Sequence, residues 1–105
     1  MTTTMLAVFT TVATADQADA LARAAVEQGL AACVQTEAIR STYRWQGDIV
    51  CEDEVRLTFK TDRNHHPAIE ALMRQLHPYE PPAIFALPVA AATAEYETWV
   101  RESLG

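Results

Sequence analysis

Tyr43-Arg44-Trp45-Gln46-Gly47-Asp48-Ile49 sets a turn signal between two β-favouring runs, and the reading of this stretch decides the fold. Before it, residues 32–43 are β-favouring. After it, Val55, Leu57 and Phe59 alternate with Arg56, Thr58 and Lys60. Successive strand side chains point to opposite faces, so the return arm buries one face and keeps the other polar. The segment reads as a β-hairpin whose arms exceed the roughly 5 to 6 residues usual for a strand. Arms of that length project beyond a small core and need another surface to cover them, a first indication of oligomerisation.

Working outward, residues 5–11 form an apolar, β-branched run that reads as a central strand. Thr14 can cap the helix that follows, with Gln17 reaching back as in a capping box. Ala18, Leu21, Ala22, Ala25 and Val26 share one face of that helix, and Gly29 ends it. Beyond the hairpin, a second helix has Pro67 in its first turn and Ile69, Leu72, Met73 and Leu76 as its apolar stripe. It must stop near His77, because Pro78 drives the preceding residue out of helical geometry. Residues 83–89 read as a strand, with Pro88 tolerated near its end or on an edge. Thr93 caps a last short helix with Tyr96, Trp99 and Val100 directed inward. The order is that of a ferredoxin-like βαββαβ fold of the α+β class with an added C-terminal helix, one domain over residues 1–105.

The chain's 105 residues suffice for a single core, and 50% hydrophobic with 21% charged residues match an ordered globular protein. No apolar run approaches the roughly 20 residues of a membrane span, and the N-terminus does not read as a secretory signal. The expectation is a cytoplasmic protein with no membrane association. Fourteen acidic against eight basic residues give a net charge of −6, which repels phosphate backbones. Nucleic acid is therefore not expected as a partner, and a cation is the more comfortable guest. Cys33 and Cys51 lack the spacing of a zinc or redox site and are expected as buried, reduced thiols.

Chemistry concentrates in His77-Pro78-Tyr79-Glu80-Pro81-Pro82, a backbone stiffened by three prolines. His77 either ligates a metal through its neutral imidazole, with Glu80 or a neighbouring subunit completing the shell, or caps a helix C-terminus. Tyr79 and Trp45 either line a cleft or anchor a subunit interface. Lys60, expected near Tyr79 and Glu80, binds a small anion or pairs with Glu80. Glu52, Asp53 and Glu54 offer hard carboxylate oxygens, though a solvated charge run is the simpler reading. His65 and His66 are neighbours that point apart on a helix, and read as surface. Glycine-rich phosphate loops, HExxH and GxSxG are absent, so catalysis is not expected.

Five motifs stand in a fixed order: Gly29-Leu30-Ala31-Ala32-Cys33-Val34, Tyr43-Arg44-Trp45-Gln46-Gly47, Lys60-Thr61, His77 to Pro82, and Ala86-Leu87-Pro88. In this the chain resembles the CutA divalent cation tolerance family over nearly its whole length. The resemblance implies a ferredoxin-like fold assembled as a homotrimer whose long hairpins pair between subunits. It also implies a non-enzymatic role in tolerance to divalent cations, with Cu2+ the candidate ion and His77 and Glu80 the candidate ligands. An architectural likeness to trimeric PII-type regulators supplies the alternative, a signalling protein that binds a small anionic ligand in intersubunit clefts. Some members carry a cysteine near the end of the first strand and a histidine before the HPY motif. Here those positions are Thr10 and Leu76, which leaves copper binding to rest on His77.

Overall fold

Thr14 starts the first helix as its neighbours dictate: its hydroxyl accepts from the Gln17 N–H at 3.2 Å, and Gln17 Oε1 accepts from the Thr14 N–H at 3.1 Å. The computed structural model describes residues 4–79 and 81–105. In chain order the elements are β1 (Met5–Val12), α1 (Ala15–Glu27), β2 (Cys33–Trp45), β3 (Asp48–Asp62), α2 (His66–Leu76), β4 (Phe85–Pro88) and α3 (Ala94–Ser103). The result is a mixed α+β structure with a four-stranded antiparallel sheet in the order β2-β3-β1-β4.

The register shows which residues share a face. Val8 lies opposite Phe59, Thr10 opposite Leu57 and Val12 opposite Val55. This face carries the core, where Val8, Val12, Leu57 and Phe59 are fully buried and cluster with Leu21 and Ala25 of α1 and Ile69 and Met73 of α2. On the other face Phe9 stacks on Phe85 with ring centroids 5.1 Å apart. Burying a large apolar side chain is worth about 1.5–3 kcal/mol, so the first face supplies most of the stability.

The hairpin is long: 13 residues in β2 and 15 in β3. Its turn has Gln46 at φ 49° and Gly47 at φ 89°, the pair of left-handed residues that a two-residue hairpin loop needs. It stretches the molecule to 47 × 26 × 21 Å. No helix among the described residues is long and apolar enough to cross a membrane.

Four details differ from the sequence reading. Cys51 is exposed, because β3 has by then run past Val12, whose partner is Val55, and faces no core. Its sulfur instead accepts from Arg40 Nε at 3.0 Å and from the Thr42 hydroxyl at 3.5 Å. The bond from Thr42, then that from Arg40, holds the thiol below its ordinary pKa. Val26 is half-exposed, since the helical period carries it about 80° around from Ala18. Leu76 is half-exposed at the end of α2, where the chain turns away into Pro78. Trp99 lies outward against Tyr96, their centroids 5.9 Å apart, and leaves the inward position to Val100.

His65 is less of a surface residue than its sequence suggests. Its Nδ1 lies 2.6 Å from Asp62 Oδ1 and its Nε2 2.6 Å from the Gly105 carbonyl oxygen. Both nitrogens therefore face acceptors, and the bond to Gly105, then that to Asp62, raises the imidazole's pKa. The Gly105 N–H in turn donates to the Gly29 carbonyl at 2.8 Å. Gly29, at φ 69°, could not carry a side chain here, because a Cβ would lie 2.8 Å from the Gly105 nitrogen.

Candidate functional site

On the distal hairpin, alternation places Tyr43 and Trp45 of β2 on the same face as Glu52 and Glu54 of β3, through the pairs Ser41 with Glu52 and Ile39 with Glu54. This face is opposite the one that carries the core. The chain leaving α2 passes the end of β1 here on its way to β4, and brings Pro78, Tyr79 and Pro81 against the hairpin. Together they enclose a cleft of about 520 Å³ lined by Tyr43, Trp45, Glu52, Glu54 and Tyr79, with Thr11 among the remaining wall residues. None of the described lining residues is basic.

One hydrogen bond joins the two walls. The Tyr79 hydroxyl donates to Glu54 Oε2 at 3.0 Å, and Glu54 is only 8% exposed. Burial first, then this bond and the Glu54 charge, push the Tyr79 phenol up to about 12, so it stays a neutral donor. Tyr43 is also raised, chiefly by hydrogen bonding to Glu52. Each carboxylate thus has a phenol as its neighbour.

His77 anchors this wall from behind. It follows α2 in an extended conformation, φ −73° and ψ 134°, and its N–H donates to the Met73 carbonyl at 2.7 Å. The Tyr79 N–H donates to His77 Nδ1 at 3.1 Å, which fixes the proton on Nε2. Nε2 then donates to Thr10 Oγ1 at 2.8 Å, and the Thr10 hydroxyl donates to the Ala83 carbonyl at 2.7 Å. Burial lowers the imidazole's pKa, against the opposing pull of Thr11 and the Glu54 charge. The chain of bonds ties both ends of the proline-rich segment to β1, with neutral His77 at its centre.

The structure brings Trp45 and Tyr79 together in the cleft, with His77 behind them. Lys60 is not there. It lies six residues along β3 from Glu54, about 20 Å at strand spacing, with its Nζ 5.9 Å from the centre of the Tyr96 ring. The expectation that it neighbours Tyr79 fails because the sequence does not say at which end of a 15-residue strand the segment after α2 will dock. Glu80 falls outside the described residues. The acidic run Glu52-Asp53-Glu54 splits by strand parity: Asp53 points to the other face, 3.8 Å from Arg40, while Glu52 and Glu54 enter the cleft. Sequence reading named Glu52 and Glu54 but set them aside as a solvated charge run, and it passed over Tyr43 as a cleft residue, although the shared parity of Glu52 with Glu54 and of Tyr43 with Trp45 carried the signal. It met Thr10 only as a missing thiol and not as the hydrogen-bond partner of His77.

Fold and cleft define a class: a small α+β domain whose antiparallel sheet extends one long hairpin, with an acidic, aromatic cleft at its side. Residues 6–103 match the profile of the CutA1 divalent ion tolerance protein family. A divalent-cation tolerance protein CutA of Thermus thermophilus is 41% identical over 99 residues, which span 93% of this chain and 96% of that one. The structure of CutA from Synechococcus elongatus superposes with a TM-score of 0.94 at 41% identity, over 99% of this chain and 93% of that one. A structure described as the periplasmic divalent cation tolerance protein CutA of Archaeoglobus fulgidus gives a TM-score of 0.92 at 26% identity, covering 94% and 97%. The chain belongs to the CutA1 divalent ion tolerance family.

Proposed function

We propose that the protein is a non-enzymatic, ferredoxin-like homotrimer that binds divalent cations and serves metal tolerance. The observation that carries this reading is the cleft, where Glu52 and Glu54 face an aromatic wall and no described lining residue is basic. Such a site attracts cations and repels the anionic ligand that the PII-like alternative requires. Carboxylate oxygens suit hard divalent ions, which take six or more oxygen ligands or so. Two carboxylates cannot fill that shell, so water or a neighbouring subunit completes it.

In this proposal His77 and Glu80 are the further donors. Both His77 nitrogens are already engaged, and an ion gains Nε2 only by displacing Thr10 and a proton. Cu2+, which favours imidazole nitrogen, must compete with that bond. The trimer is supported by what the sheet leaves uncovered. Trp45, Phe85 and Leu87 are 55%, 56% and 54% exposed and share the face opposite the core, and β2 and β4 are unpaired edges. Two unpaired thiols suit the reducing cytoplasm.

Calorimetric titration of Mn2+ and Cu2+ into the wild type and the Glu52→Gln/Glu54→Gln variant tests the reading. Saturable binding that weakens at least about tenfold in the variant, some 1.4 kcal/mol, is expected. Saturable binding of a nucleotide with no response to either metal would replace this reading by the anionic one. Copper EPR of His77→Ala then decides the imidazole: a changed spectrum keeps His77 among the ligands, and an unchanged one removes it.

A further inference from the structure

We infer that the cleft takes a weakly hydrated organic cation, an alkyl or quaternary ammonium, against Trp45, Tyr43 and Tyr79. This inference rests on the reading of the cleft as a cation site and names a second class of ligand for it. A strongly hydrated divalent ion needs a shell of oxygens to replace its water. The described lining offers two carboxylates, one of which already accepts from the Tyr79 hydroxyl. An organic ammonium needs less: one or two negative charges nearby and aromatic faces over which its diffuse charge can sit.

The cleft supplies both. Three of its walls are aromatic side chains, two of them phenols held protonated and so still electron-rich neutral rings. Its volume of about 520 Å³ lies within the range of roughly 300–1,000 Å³ typical of small-molecule sites. The Tyr79 wall cannot swing freely, because His77 holds its N–H and Glu54 its hydroxyl. In the proposed trimer a neighbouring hairpin also approaches this tip, so the measurement belongs on the assembled protein.

Trp45 reports its own occupancy once the second tryptophan is removed as Trp99→Phe. Tetramethylammonium chloride is expected to change Trp45 fluorescence saturably, while neopentyl alcohol, a neutral analogue of similar shape and size, and sodium chloride at equal strength do not. By calorimetry, Glu54→Gln and Trp45→Leu each weaken tetramethylammonium at least tenfold, with the fold checked by circular dichroism. Equal responses to the ammonium ion and the alcohol overturn the inference, as does undiminished ammonium binding in both variants. Mn2+ binding without any ammonium binding overturns the inference alone, whereas loss of both overturns the cation reading of the cleft as well.

Discussion

From Val55 to Asp62 the strand β3 is paired on both sides, with β1 along its whole length and with β2 as far as Lys60. From Asp48 to Glu54 it is paired with β2 alone. The proximal half alternates cleanly into the core, with Leu57 and Phe59 fully buried; the distal half leaves Ile49 and Cys51 exposed. The same strand, with the same partner, thus serves two purposes. Period-two patterning buries side chains only where a second layer lies over the sheet. Where none does, the strand is free to present groups, and here it presents Glu52, while Glu54 is covered by Tyr79 of the segment after α2.

Substitutions on either side of Val55 should therefore separate sharply. Phe59→Ala is expected to cost about 3–5 kcal/mol in urea unfolding, through lost burial and the cavity left behind. Thr10→Val preserves shape but strands the His77 donor and the Ala83 acceptor, and should cost about 1–3 kcal/mol while shifting the His77 ring resonances. Gly47→Ala forces a side chain onto a φ of 89° and should cost about 1 kcal/mol. In the Phe85→Asp/Leu87→Asp background, where the chain is expected to be a folded monomer, Ile49→Thr at the tip should stay within about 0.5 kcal/mol. A cost at Ile49 rivalling that at Phe59 would break the contrast between the two halves.

Two histidines extend the comparison to pH. His65, raised above 6.5, contributes stability that is full below 6.5 and is lost as pH rises through its folded pKa. His77, lowered below 6.5, contributes the reverse: present above 6.5 and lost as pH falls through its folded pKa. Thermal unfolding followed across this range should show His65→Ala weakening the decline on the alkaline side. An unchanged pH profile in that variant would remove the imidazolium from the joint with Asp62 and Gly105.

Much of the fold was legible because it is local. The Thr14 and Gln17 cap, the turn at Gln46 and Gly47 and the alternation of Leu57 with Phe59 each follow from a few neighbouring residues. The site was legible only in part, since it depends on docking between distant segments. Tyr79 announces itself by its prolines, but nothing near it in sequence says that it will meet Glu54, 25 residues earlier, and not Lys60. Thr10 and His77, 67 residues apart, are joined for the same reason.

The account's central claim is that the distal hairpin and the uncovered sheet face are finished by further copies of the chain. Native mass spectrometry at micromolar concentration tests it directly. The wild type is predicted to fly as three chains, and Phe85→Asp/Leu87→Asp to fall to a folded monomer. A wild type that is monomeric at that concentration would contradict the claim.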